Sequence, residues 1–547
     1  MNKNSLRIKS KFWIAGLILI FATGSLLTWQ SYKSSSPTPE PIVQLRDILL
    51  LSQTQISSFD PLDAFHEGHI QIVKQVYETL TDVDEHGQCV PLLADKWETT
   101  DNKIWRFHLK NNVFFSTSPI FATKAERHLE AADVVYSFQR LLSPESKSLG
   151  VAYFRDIAGL DEYRASKQPS LRGVRAISND VVEFELTQPD AGFFCVVSLP
   201  FASIVKQQAV TRLGEDFKLK PIGTGSFLLT SYEPDQRVVL SRNPDFRQGP
   251  NEPTNPAVEE VRIQLTRDEN AAYAAFSNGA TDFLSLDFAG LTRFRQQANV
   301  STAPIVSQPT AKLQFYLFNL KTVAKSKVRH AISAAVNRAK IQELIGDSGL
   351  MATSVFPAAI FPELSGKHPA LDSTNFKSAH KTTPKRKRLA VLRLVCFNDT
   401  LSRAVASRIA DDLQAEGYTV KIEAAAFPVL VERLTRGEYD LIQLYWGPLY
   451  AEPAHYLGPF LTSQFPPQGN NFNQYSNASF DQRIASAKAS SNAATRRKLF
   501  LEAQDVLLKD MPLLLLYFEN LVRVSDNKFT LPTHPLLYRR YSLAQPQ

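Results

Sequence analysis

Four short stretches of this 547-residue chain bring together residue types that could do chemistry. His66-Glu67-Gly68-His69 is one residue short of HExxH, which sets two histidines on one helical face around a metal, so it reads as the start of a helix. Gly223-Thr224-Gly225-Ser226 lacks the GxSxG spacing of an exposed nucleophile and does not open a helix as a phosphate-binding GxGxxG does; it reads as a turn. Asp411-Asp412 is a pair of carboxylates on the outer face of a helix whose apolar side is Val405, Ile409 and Leu413, so solvated charges are expected. Cys89, Cys195 and Cys396 are widely separated and lack CxxC spacing. One bridge is possible in an exported chain, while inert buried thiols are the simpler reading. These stretches offer no catalytic constellation, and the expectation is a protein that is not an enzyme and needs no metal or cofactor.

The elements around these stretches indicate something else. With 44% hydrophobic residues the chain has enough apolar material for two or three packed units. Its 61 Lys plus Arg against 54 Asp plus Glu give +7, but nine of those cations sit in two acid-free runs, Lys3 to Lys11 and Lys381 to Arg388. The remainder, 52 against 54, is nearly neutral, which argues against nucleic acid as a partner. Between the first run and the body, Phe12 to Gln30 carries no charge. Nineteen helical residues span roughly 28 Å, enough to cross a bilayer, and the flanking cations keep the N-terminus in the cytoplasm. The expected layout is a basic segment at 1–11, a signal-anchor at 12–30 and a linker at 31–43. The body then lies outside the cytoplasm, held at the inner membrane, or released if the signal is cleaved.

Along the body, Val73, Val76, Tyr77 and Leu80 have the spacing of one helical face, Lys96 to Phe115 alternates as a hairpin around Asp101-Asn102, and Glu130 to Leu142 returns to a helical period. From Leu389 strands alternate with helices: LAVLRLVCF, a helix over Leu401 to Glu416, YTVKIEA, a helix over Val429 to Thr435, and DLIQLYW. That grammar implies an α/β unit with a parallel sheet. A long helical stretch from Phe480 to Lys509 and a fully buried strand, MPLLLLYF (Met511 to Phe518), follow.

Five blocks in this order resemble the extracytoplasmic solute-binding proteins of family 5, the oligopeptide-, dipeptide- and nickel-binding components of ABC transporters. They lie at Val76 to Phe115, Ala131 to Pro144, Pro221 to Phe246, Leu317 to Ile341 and Gly469 to Ala487. The resemblance implies a two-lobed periplasmic-binding-protein fold with an extra inserted subdomain in lobe I and a hinge between the lobes. Lobe I is expected at 44–305 with the insertion at about 63–200, lobe II at 306–512, and a return to lobe I at 513–547. It further implies a peptide-like solute and ABC permease subunits as partners, with the chain acting as a monomer. A membrane-anchored sensor without transport, and a nickel or metal-chelate binder, are the alternatives.

In an open parallel sheet the ligand sits beyond the carboxyl ends of the strands. The strand DLIQLYW ends in the loop GPLYAEP, so the candidate ligand-binding residues are Tyr445, Trp446, Gly447, Leu449 and Tyr450, with Phe59, Asn471 and Tyr517 from elsewhere. Peptide-binding members read like W-x-A-D-Y here, the aspartate pairing with the ligand's α-ammonium group. This chain has Leu449 at that place, with Glu452 three residues on as a possible substitute. An ammonium buried without a counter-charge is costly, so a ligand without a free α-amino group, or one weakly bound, is expected. Residues 116–128 form a longer loop than many members have, and the basic run at 381–388 reads as an exposed loop.

Overall fold

The structure, a computed structural model, describes residues 43–50, 56–64, 67–247, 256–296, 304–366, 391–447, 450–466, 469–532, 534–536 and 540–547. The expected anchor, the basic run at 381–388 and Leu449 lie outside these residues.

The first strand, β1 (Gln44–Leu50), precedes a helix over Glu67–Val76. Val73 and Val76 turn into the core, and Tyr77 and Leu80 are buried just past the helix end. The chain leaves the helix there against the Gly223-Gly225 turn. A Cβ on Gly223 would lie 2.0 Å from the Val76 carbonyl oxygen, so the two glycines permit backbone to touch backbone.

The expected hairpin is β2 (Ala94–Thr99) and β3 (Ile104–Leu109), turning at Asn102 with φ 58°. Trp105, Phe107 and Leu109 point inward, as the alternation requires. With β4 (Val174–Ala176) and β5 (Val181–Glu185) they form a sheet of order β2-β3-β5-β4. Helix α1 (Ala131–Leu141), started by a capping box between Glu130 and Asp133, packs on it through Phe138 and Phe184, 4.8 Å apart. A second sheet, β1-β8-β7-β6, adds β6 (Phe227–Glu233), β7 (Arg237–Arg242) and β8 (Glu260–Thr266).

The third sheet positions the site. It contains β9 (Phe283–Leu286), β10 (Ile305–Phe318), β11 (Gly349–Met351), β12 (Leu392–Phe397), β13 (Val420–Ala425), β14 (Leu441–Trp446) and β15 (Leu513–Ser525). The order is β9-β15-β10-β14-β12-β13, with β11 also on β15. Strands β12, β13 and β14 are parallel, as the alternating grammar predicts. Helix α2 (Thr400–Ala415) joins β12 to β13, and α3 (Phe427–Arg436) joins β13 to β14. Each stops at a left-handed glycine, Gly417 or Gly437. The long strands β10 and β15 pair antiparallel, from Ile305 with Val524 to Leu317 with Leu513, but the register breaks between Pro309 and Leu313.

Three expectations change. The stretch from Phe480 to Lys509 is two helices, α4 (Ala478–Ala489) and α5 (Ala493–Asp510), because the Asn492 side chain accepts from the Thr495 N–H and starts a second helix. Asp412 is buried rather than solvated: it accepts the Asn337 N–H at 2.8 Å and pairs with Arg408. Cys89 and Cys195 form a disulfide, leaving Cys396 as a buried free thiol, so the inert reading holds for Cys396 alone. The bridge spans 106 positions, and cross-linking a loop near that length removes about 4.7 kcal/mol of unfolded-state entropy in the chain-closure model.

Denatured but unreduced protein is therefore expected to take up one alkylating group, and three after reduction, by intact mass. Replacing both Cys89 and Cys195 by serine should lower unfolding stability by about 2–5 kcal/mol in a denaturant titration.

Candidate functional site

At the carboxyl edge of the parallel strands three aromatic rings lie in a row. Phe397, the last residue of β12, is 5.8 Å from Tyr445 near the end of β14 and 6.4 Å, nearly parallel, from Phe427 at the start of α3. Tyr445 and Phe427 are 43% and 50% exposed, much for aromatic side chains that could have turned inward. Lys312, from the register break in β10, places its ammonium 4.4 Å from the centre of the Tyr445 ring and 2.9 Å from Glu519 of β15. Rigid rings beside a charged pair, at the edge of an open sheet, can hold apolar side chains and fix one polar end of a small molecule.

Trp446 faces the other way, because neighbours on a strand point to opposite faces. It lines a cavity of about 110 Å³ with Phe315, Leu444, Phe460 and Phe472, which Tyr445 borders as well. Its indole N–H donates to the His455 carbonyl at 3.1 Å, and its ring lies 5.1 Å from the His455 ring. Gly447 follows, with open space around its α-carbon apart from the Lys312 stem.

Other expected site residues are structural in this conformation. Phe59 is 1% exposed and meets Tyr232 edge-on at 4.9 Å. Tyr450 is buried edge-on against His455 and Tyr153. Asn471 is buried with both ends of its amide used, donating to the Leu461 and Tyr475 carbonyls and accepting the Tyr475 N–H. Tyr517 belongs to the core cluster with Tyr316 and Leu514. The structure thus groups Tyr445, Trp446 and Gly447 at the sheet edge and withdraws the other four described residues into packing. Residues that the sequence reading missed are Phe397, Phe427 and Lys312. The first two were within reach of the carboxyl-end rule, had it been applied to β12 and β13 as well as β14. Lys312 carries no sequence signal, since a register break aims it.

Glu452, offered as a substitute for the missing aspartate, is committed elsewhere. It is 4% exposed and ion-paired with Arg496 at 2.6 Å. Burial pushes its carboxyl up, Arg496 opposes that, and Asp190 adds to it. Nearby, Lys488 pairs with Asp190 at 2.9 Å, and the Asn102 amide bonds the Ala489 carbonyl and the Ser491 hydroxyl. Among the described residues no group of three or more His, Cys, Asp and Glu is arranged to hold a metal ion.

Residues 88–467 match the model of the bacterial extracellular solute-binding proteins, family 5. The chain belongs to that family. It is 26% identical to the peptide transport periplasmic protein SapA of Salmonella typhimurium, over 92% of each chain. It is 23% identical to the periplasmic murein peptide-binding protein MppA of Escherichia coli, over 89% of this chain and 90% of that one. Among solved structures, the unliganded open form of MppA superposes with a TM-score of 0.76 at 21% identity, over 92% of this chain and 97% of that one. Haemophilus influenzae OppA complexed with RPPGFSPFR gives 0.70 at 18%, over 93% and 99%. The fold is therefore the two-lobed family 5 binding fold with α/β content.

His455 is 6% exposed among rings, and burial lowers it to about 4; His534 is likewise lowered to about 4. The unfolded chain, with histidines near 6.5, binds more protons than the native one between about pH 4 and 6.5. Stability is then full above about pH 6.5 and falls as pH drops, by about 2 kcal/mol per histidine at pH 5. His455→Phe is expected to reduce this difference by about 2 kcal/mol in denaturant titrations at pH 7.5 and 5; an unchanged difference would contradict the assignment.

Proposed function

We propose that this protein is an extracytoplasmic substrate-binding protein that captures a small peptide-like solute between its lobes and delivers it to the permease of an ABC transporter. The observation that carries this is the row of exposed Phe427, half-buried Phe397 and exposed Tyr445 with Lys312, at the carboxyl edge of the sheet and beside the register break of β10 and β15. Tyr445, Trp446 and Gly447 are the retained part of the site, with Leu449 next along the loop. Lobe I is residues 44–305 and 513–547, lobe II is 306–512, and the break at Pro309 to Leu313 is the hinge of closure. The uncharged segment at 12–30 anchors a monomeric chain outside the inner membrane.

The ligand lacks a free α-ammonium group. Leu449 supplies no charge, Glu452 is neutralised by Arg496, and Glu519 already accepts from Lys312 and Gln314. An ammonium entering this site would have to break a pair that already exists. The relatives named for peptide transport and murein peptide binding support the solute class.

Calorimetric titration with di- to pentapeptides, free and N-acetylated, checks this. Acetylated peptides are expected to bind more tightly than free ones, and Tyr445→Ala to weaken binding about tenfold, the scale of a lost aromatic contact. Tight binding abolished by acetylation would overturn the ligand class.

A further inference from the structure

Under the aromatic row runs a chain of buried side-chain hydrogen bonds that crosses four strands. Strands β12 and β14 pair at Leu394 with Leu441 and at Val395 with Ile442, and the ladder between them stops there. One residue on, the Gln443 side chain stands in for it: its Oε1 accepts the Phe397 N–H at 3.2 Å, and its Nε2 donates to Ser402 Oγ at 3.0 Å and Gln314 Oε1 at 3.2 Å. Gln314 Nε2 in turn donates to Glu519, whose other oxygen accepts Lys312. Gln443 and Gln314 are 1% and 5% exposed.

The direction of this relay is forced. An ionised carboxylate only accepts, so Gln314 must present its amide nitrogen to Glu519 and its oxygen to Gln443. Gln443 must then present nitrogen to Gln314 and oxygen to the Phe397 N–H. Reversing either amide would set donor against donor, or acceptor against acceptor, at the buried Gln443–Gln314 contact. The ends of the relay are the two things the site needs placed: the Phe397 backbone below the ring row, and the Lys312–Glu519 pair beside Tyr445. Glu519 also adjoins the register break, where its carbonyl accepts from Thr310 Oγ1 at 2.7 Å.

We propose that Gln443 and Gln314 are positioning residues for ligand binding, holding Phe397 and the Lys312–Glu519 pair in register with one another and with the hinge strands. This rests on the aromatic row being the ligand surface. A carboxylate placed at Gln314 would meet Glu519 as a like charge where the amide now donates, so that change alters binding in a pH-dependent way that a mere loss of packing does not.

The test uses the full chain and N-acetyl-Leu-Phe-Leu as probe. In the ligand-free protein Gln443→Leu is expected to speed hydrogen exchange at the Phe397 amide about tenfold or more while leaving the Val395 amide unchanged. Gln314→Glu puts a second carboxylate against Glu519; at pH 8 it should weaken the probe about tenfold, and at pH 5, where one proton is shared, recover to within about threefold of wild type. Unchanged exchange at Phe397, or an affinity loss equal at both pH values, would overturn the relay. Tyr445→Ala separates this from the parent reading: if it binds the probe as wild type does, or if wild type does not bind, the row is not the ligand surface, and the exchange measurement still judges the relay. Should Gln443→Leu fail to fold, the pH profile of Gln314→Glu decides.

Discussion

The antiparallel pairing of β10 with β15 is the constraint on which the rest depends. Two long strands separated by nearly two hundred residues lie side by side, keep register at both ends, lose it over three residues in the middle and slip once more between Gln314 and Phe315. Those residues do not hang free. Thr310 bonds the Glu519 carbonyl, the Ala311 N–H bonds the Pro535 carbonyl, and the Ala311 carbonyl accepts from Tyr456 Oη. A bulge so tied bends a strand at a defined place and re-aims a side chain, here Lys312. The approach to β15 is held by two buried guanidinium groups. Arg329 donates to the carbonyls of Asp510 and Met511, and Arg338 to those of Leu515 and Leu516. Burial lowers Arg338 to about 10, which leaves it charged at neutral pH.

The site shows how strand geometry divides labour between adjacent residues. Tyr445 and Trp446 are both large aromatics at the end of β14 and border one cavity, yet one meets a lysine at the exposed edge and the other lies tilted against a buried histidine. The twofold period of a strand accounts for this without any difference in side-chain chemistry. Underneath, buried amides take over where the β12–β14 ladder ends, so the open edge of the sheet costs few unmade hydrogen bonds.

Much of the fold was legible in local pattern. The helix–strand alternation after Leu389, the hairpin about Asn102 and the buried run from Leu513 appear where periodicity places them, because each is set by short-range propensity and one apolar face. What periodicity misread were places where a single polar side chain overrides it. Asn492 splits one expected helix into two by capping, and Asp412 looks like a surface charge until Asn337 is brought against it. The Cys89–Cys195 pairing was equally out of reach, since spacing alone does not say which cysteines meet.

For the site, family pattern pointed to the loop after β14, where Tyr445, Trp446 and Gly447 lie at the sheet edge, while four further candidates, among them Phe59 and Tyr517, are buried in packing in this conformation. By itself the sequence determined the α/β grammar and the order of its elements, and the resemblance it carries to family 5 implied the two-lobed class and an acid missing at Leu449. The first two follow from composition and period, which are properties of the chain before it folds. Only the tertiary structure decided that Phe397, Phe427 and Lys312 share one surface, that Glu452 is ion-paired with Arg496, and that Gln314 and Gln443 join that surface to β10 and β15. Each of these is a contact between residues far apart in sequence, and such contacts exist only once the long strands have paired.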